Sequence, residues 1–141
     1  MNPYGETIQE HFRHPRNYGS LDAPDIRHEE VNPFCGDRVR IEVSIGADGT
    51  IAAARFQGDL CMIAKAASSL LTEMIAGLPI DGIEDFPERR LLEALEAEIQ
   101  PARLKCALLP LEALRSGIAS ARSGDGCSAC GAIRFGQLPR R

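Results

Sequence analysis

Along this chain the spacing of apolar residues changes from helical to alternating and back to helical. Near the start, Ile8 and Phe12 share one face of a short helix predicted over residues 7–12. Residues 14–33 contain three prolines and one glycine, which predict a loop.

An alternating stretch follows this loop. Apolar residues at 39, 41, 43 and 45 alternate with polar residues at 38, 40, 42 and 44, the pattern of a half-buried strand. The pair Asp48-Gly49 predicts a tight turn, and a second strand is predicted over about 51–58. Together these segments predict a β-hairpin.

The second half of the chain has helical periodicity. One predicted helix begins after Cys61 and ends before Gly77 and Pro79, and two more cover about 87–98 and 102–121. Pro110 is expected to kink or break the last one. Because strands precede helices, we predict an α+β fold: an antiparallel β-sheet with helices packed on one face.

Composition narrows the class of protein. A length of 141 residues and an apolar share of 44% suit one domain, which we place at 1–122, followed by a flexible C-terminal tail at 123–141. The net charge of −4, with mixed signs, argues against a nucleic-acid partner. Since no apolar run could span a membrane and no basic leader precedes one, we expect a cytoplasmic protein with no membrane partner.

Three isolated cysteines are the strongest candidate chemistry. Cys35, Cys61 and Cys106 are too far apart in sequence to form a local zinc knuckle, and Asp37 follows the first by two residues. Each thiol is predicted at a loop or near the start of a helix, so the fold can gather them at one end. Three thiolates and one carboxylate suit a soft metal or an iron–sulfur cluster.

A further pair, Cys127 and Cys130, forms a Cys-x-x-Cys motif in the tail. One such pair supplies only two ligands. It is open whether these thiols are incidental, form a sulfur or redox relay, or make a half-site completed in a homodimer. His11, His14 and His28 are expected in surface or turn positions.

Four ordered motifs resemble the IscU/SufU/NifU N-terminal-type family of iron–sulfur cluster assembly scaffolds. The resemblance runs from about residue 11 to 118. The motifs are residues 11–20 (HFRHPRNYGS), 32–37 (NPFCGD), 54–58 (ARFQG) with Cys61 and 66–73 (AASSLLTE), and 102–107 (ARLKCA).

The resemblance implies the ligands and the partners. By position the ligands are Cys35, Asp37, Cys61 and Cys106, holding a transient [2Fe–2S] cluster or Zn²⁺ at the same site. The partners implied are a cysteine desulfurase and apo iron–sulfur proteins that receive the cluster. Cys106 is the expected persulfide acceptor, with Lys105 beside it to stabilise the thiolate.

The chain departs from the family pattern in several places. Leu60 replaces the usual glycine before the second cysteine, so we expect that loop to bend differently. Lys65 stands where relatives are small or apolar, and it either faces solvent or reaches the site. Lys105 is a SufU-like marker, whereas the absence of an insertion before Cys106 is IscU-like. The segment 99–103 (IQPAR) differs from the chaperone-binding segment of IscU-type members, which favours a SUF-type system.

Three functions therefore remain open. The first is a cluster scaffold, a carrier rather than an enzyme. The second is a SufU-like zinc-dependent sulfur acceptor, a sulfurtransferase that stimulates a desulfurase. The third is a structural zinc domain, which would unfold without its metal. The third is disfavoured because the long apolar helices predict a core that is stable without metal.

Overall fold

A computed structural model of the chain describes residues 5–33 and 36–123. The helices and strands follow one another in this order: α1 (Gly5–Arg13), β1 (Ile26–Val31), β2 (Arg38–Ile45), β3 (Ile51–Asp59), α2 (Met62–Ile75), α3 (Glu88–Ala94) and α4 (Leu104–Ser123). Two short 3₁₀ helices, Ile80–Asp85 and Pro101–Arg103, precede α3 and α4. Within the described ranges, no helix is long and apolar enough to cross a membrane.

The three strands form one antiparallel sheet in the order β1-β2-β3. Its register places Ile41 of β2 between His28 of β1 and Phe56 of β3. The predicted hairpin is confirmed, with β2 and β3 joined through the turn at Asp48-Gly49. The predicted α+β class is confirmed as well.

Helices α2 and α4 pack against the sheet and close a single apolar core. Val39, Ile41 and Val43 on the covered face of β2 are fully buried, as the sequence pattern requires, and Glu42 on the other face is buried as well. The largest fully buried side chains are those of Phe56, Ile8, Ile26, Ile41, Ile51, Ile63, Leu71, Ile75, Ile80, Ile83, Leu91 and Leu95. This core holds the starts of α2 and α4 beside the start of β2, where the candidate ligands lie.

Two predicted elements were wrong, and one of the two alternatives for Pro110 is excluded. The loop predicted over 14–33 contains β1, an edge strand whose sequence IRHEEV has few apolar residues because Ile26 alone is fully buried. The helix predicted over 87–98 ends at Ala94, and Glu96 has a φ of 55° that no helix accommodates. Pro110 lies inside one continuous helix, α4, so of the predicted kink or break the break is wrong.

The N-terminal segment, residues 5–20, packs against α2. His11 is buried, contrary to the surface position expected for it, and its Nδ1 lies 2.7 Å from Ser69 Oγ. Asn17 donates from its side chain to Thr72 Oγ1 at 3.1 Å. At Asn17 the backbone has a φ of 64°, a conformation that asparagine tolerates better than most residues. The 11–20 motif therefore attaches the N-terminal helix to the core.

Candidate metal-binding site

Three separate elements bring three candidate ligands together. Asp37 stands directly before β2, Cys61 caps the start of α2, and Cys106 lies in the first turn of α4. One ligand atom from each of these side chains lies within 4.8 Å of the others. The sequence expectation that the fold gathers distant residues is met for these three, and their role as ligands stays a prediction.

These side chains line a cavity of about 610 Å³. Asn32 and the 3₁₀ helix Pro101–Arg103 form other parts of its wall, and so does Lys105. A metal ion or a small cluster occupies much less than this volume, so the cavity also leaves room for an incoming group. The exposed side chains of Arg103 and Lys105 place positive charge on the wall.

Cys61 is positioned by the helix that it begins. Its backbone is extended, with φ −69° and ψ 172°, and its Sγ accepts the N–H of Ala64 at 3.4 Å. Burial raises the pKa of the Cys61 thiol, the Ala64 N–H opposes this rise, and the nearby Asp37 adds to it. A bound cation would offset both effects that raise the pKa, because a thiol that coordinates a metal is deprotonated.

Leu60 stands where the family pattern usually has glycine, and Cys61 nevertheless lies beside Asp37 and Cys106. The φ of Leu60 is not positive, so its backbone does not adopt the left-handed conformation that leucine disfavours. Gly58, two residues earlier, has a φ of 152°, and a Cβ there would lie 2.0 Å from the carbonyl oxygen of Arg38. The strict backbone requirement before Cys61 therefore falls on Gly58, near the end of β3.

Asp37 supplies the observation that most directly favours a cation. Its side chain is 8% exposed, and its Oδ2 atom is buried without a hydrogen-bond partner. Burying a carboxylate oxygen without a hydrogen-bond partner raises the free energy of the folded state. An ion held between Asp37, Cys61 and Cys106 would satisfy this oxygen, and a mixed sulfur and oxygen set suits zinc or iron. The donor set therefore fits a metal.

Asn32 contributes to the site, although the sequence analysis assigned it no role. It is 4% exposed, and its Nδ2 lies 3.9 Å from the Sγ of Cys106. The signal in the sequence was its place in the NPFCGD motif, which includes two predicted ligands. Cys35 of that motif lies outside the described residues, as do Cys127 and Cys130.

Comparison with known proteins gives a consistent result. The family model described as the NifU-like N terminal domain matches residues 3–128. The iron–sulfur cluster assembly scaffold protein IscU of Escherichia coli K12 is 32% identical over 126 residues, covering 85% of this chain and 94% of that protein. The zinc-dependent sulfurtransferase SufU of Bacillus subtilis 168 is also 32% identical, over 139 residues, covering 86% of this chain and 93% of that protein.

Solved structures show the same fold. FiSufU from Fervidobacterium islandicum AW-1 superposes with a TM-score of 0.68 at 23% identity, covering 82% of this chain and 96% of that one. The N-terminal NifU-like protein from Brucella abortus gives a TM-score of 0.69 at 19% identity, covering 86% and 95%.

Proposed function

Because the chain belongs to the NifU-like N-terminal domain family, we propose that it is an iron–sulfur cluster assembly scaffold. It receives sulfur from a cysteine desulfurase as a persulfide, and iron(II) together with excess cysteine thiol supplies the electrons that reduce this sulfur to sulfide. It assembles a labile [2Fe–2S] cluster as its cargo and passes that cluster to apo-proteins. The observation that supports this most is the convergence of Asp37, Cys61 and Cys106 on one cavity. A solvent-accessible cavity suits cargo that must enter and leave.

The residues divide the work as follows. Cys35, Asp37, Cys61 and Cys106 hold the cluster. Cys106 receives the first sulfur: its thiolate attacks the outer sulfur of the desulfurase persulfide, and the donor cysteine leaves as a thiolate. Lys105 directly precedes Cys106 and lies on the cavity wall, where its positive charge favours the thiolate form of Cys106. Asp37 is the one hard ligand in a soft set, which keeps the cluster exchangeable.

A second function has its own support. The 32% identity to SufU, together with Lys105, favours a zinc-dependent sulfur acceptor that uses the same site. In that case Cys35, Asp37, Cys61 and Cys106 would hold zinc, which would keep the cysteine sulfurs as thiolates. The cysteine that accepts the sulfur attacks the outer sulfur of the desulfurase persulfide, and the donor cysteine leaves as a thiolate. Zinc in the purified protein would not discriminate between the two functions, since a thiolate-rich scaffold site also binds zinc.

The test is cluster assembly on the metal-stripped full chain under anaerobic conditions, with iron, cysteine and a cysteine desulfurase. A scaffold develops sulfur-to-iron charge-transfer absorption, and Cys61→Ser and Cys35→Ala lose it. The double variant Cys127→Ser/Cys130→Ser is the matched control, because it removes two thiols without altering the proposed ligand set. If this control loads sulfur more slowly yet reaches the same spectrum, the tail acts as a relay.

The opposite outcome is equally specific. If no chromophore forms, and desulfurase turnover rises only after zinc is restored, the scaffold proposal is wrong and the sulfur-acceptor function replaces it. The measurement therefore compares absorption and turnover in the same samples, with iron alone and with zinc alone.

A further inference from the structure

The side chain of Asn32 is polar and yet buried, so its hydrogen-bond partners need to be identified. It follows the last residue of β1, is 4% exposed, and lines the cavity together with Asp37, Cys61 and Cys106. Burying a primary amide is unfavourable unless its hydrogen bonds are replaced. The partners of Asn32 therefore indicate what this residue does.

The main chain of Asn32 closes the loop that ends at Asp37. Its N–H donates to the carbonyl of Asp37 at 2.8 Å, and its carbonyl accepts the N–H of Gly36 at 2.7 Å. Gly36 has a φ of 80°, which suits glycine in this tight loop. These bonds involve backbone atoms only, so a change of side chain at position 32 leaves them available.

The side chain of Asn32 links that loop to a different element. Its Nδ2 donates toward the Sγ of Cys106, in the first turn of α4, at 3.9 Å. Cys61 has a comparable donor in the backbone N–H of Ala64, at 3.4 Å. Each of these two sulfurs thus has an N–H donor, and the side-chain amide of Asn32, unlike the backbone N–H of Ala64, can be removed by mutation.

We propose that Asn32 is a positioning residue that orients the Cys106 sulfur toward the metal and tunes it through an N–H···S hydrogen bond. This inference rests on the proposed metal-binding function of the site. Hydrogen bonds to sulfur ligands help to set the properties of iron–sulfur centres. Mutation of a group that orients a metal ligand typically lowers the metal affinity by about 10–100-fold.

The bond has a spectroscopic consequence. An N–H donor lowers the energy of the sulfur lone pairs, so charge transfer from sulfur to a metal requires more energy. Removing the donor shifts that absorption to longer wavelength. Co²⁺ is the probe, because it occupies zinc-type sites and its thiolate charge-transfer bands report directly on the sulfur ligands.

The experiment titrates Co²⁺ into the metal-stripped full chain and into Asn32→Asp and Asn32→Ala. The aspartate variant keeps the shape of the side chain but has no N–H, and the alanine variant loses the donor without adding charge. We expect both to shift the charge-transfer bands to longer wavelength, and we expect Asn32→Ala, which adds no charge to the cavity, to weaken Co²⁺ binding by about 10–100-fold in chelator competition. Asn17→Asp is the matched control, since Asn17 bonds to Thr72 and Arg55 and not to a cysteine.

A cycle with Cys106→Ser separates orientation of the sulfur from general loss of structure. If Asn32 acts through Cys106, then Asn32→Ala changes neither spectrum nor affinity once the sulfur is gone. Equal spectra and affinities for the parent and both Asn32 variants would overturn the proposal, as would an undiminished effect in the Cys106→Ser background. Because only Co²⁺ is added, failure here leaves the cluster-assembly test unaffected.

Discussion

The ammonium nitrogen of Lys65 lies 5.2 Å from the ring centroid of Tyr18. It also lies 5.3 Å from the centroid of Phe12, so that two aromatic rings of the N-terminal segment contact one cation. Lys65 follows Cys61 by about one helical turn, and the sequence allowed it either to face solvent or to reach the site. Its contacts instead attach residues 5–20 to the surface of α2.

Lys65→Met should therefore lower the free energy of unfolding and leave metal affinity unchanged. Methionine keeps most of the aliphatic stem but removes the charge, and a cation–π contact of this kind contributes roughly 0.5–2 kcal/mol. Urea denaturation measures the first quantity and chelator competition for zinc the second. Lys65→Arg is the conservative control and should retain stability. A large loss of zinc affinity without loss of stability would show that Lys65 acts on the site.

Exchanging the acid at position 37 should change how fast the metal leaves. Asp37→Cys completes an all-thiolate set, so zinc or cluster should leave more slowly, whereas Asp37→Asn removes the ligand charge and should speed release. We expect each rate to change by about tenfold or more, since even outer-shell changes reach that size. Transfer to a chelator, followed by absorption, measures the rate. Equal rates in all three proteins would make Asp37 only a loop residue.

Gly58→Ala should destabilise the fold far more than an alanine at an unconstrained glycine. The new Cβ would lie 2.0 Å from the Arg38 carbonyl oxygen, and the φ of 152° disfavours any side chain. Strain of this kind costs about 1–3 kcal/mol even before the clash is relieved. Gly82→Ala is the control, because its Cβ meets no atom within 4 Å. Equal denaturation midpoints for the two variants would contradict this prediction.

Stability should fall as the pH drops below the ordinary histidine pKa of 6.5, and His11 should account for part of the fall. Burial lowers the pKa of His11, and the nearby Arg16 lowers it further. The unfolded chain then binds a proton more readily, so this contribution is complete above pH 6.5 and is lost as the pH falls through the lower folded-state pKa.

His11→Asn isolates this effect, because the amide can still bond to Ser69 but cannot titrate. Urea denaturation of both proteins at about pH 7.5 and about pH 5.5 measures the difference in slope. The parent should lose more stability than the variant between these values. Parallel losses would assign the pH dependence to groups other than His11.

The elements that the sequence predicted well are those whose burial is periodic. In β2 the residues at 39, 41 and 43 are completely buried, so alternation alone revealed the strand. In β1 the residues paired with Val43, Ile41 and Val39 are Ile26, His28 and Glu30. Because two of these three are polar, the sequence of this edge strand shows no alternation of apolar and polar residues. Similarly, Pro110 is compatible with α4 because the surrounding core holds the helix together, a tertiary effect that local propensity omits.

The site shows the same division. Residue type and motif indicated Asp37, Cys61 and Cys106 as candidates, because thiols and carboxylates are common metal ligands. Asn32 and Ser69 act through specific partners, Cys106 and His11, which are distant in sequence. Such pairings depend on how β1, α1, α2 and α4 pack, and no spacing rule in one sequence reports that packing.

The candidate ligands Asp37, Cys61 and Cys106 stand at the starts of β2, α2 and α4, and the folded core holds these three starts together. Occupancy and tertiary structure are therefore thermodynamically linked: cargo that binds the folded state alone raises the melting temperature with its concentration. Linkage is reciprocal. A recipient that moves the first turn of α4 away from α2 lowers the affinity of the site for its cargo. By linkage, bound cargo disfavours that movement by the same factor. Unloading can thus be driven from the surface of the helices, without any contact to the metal.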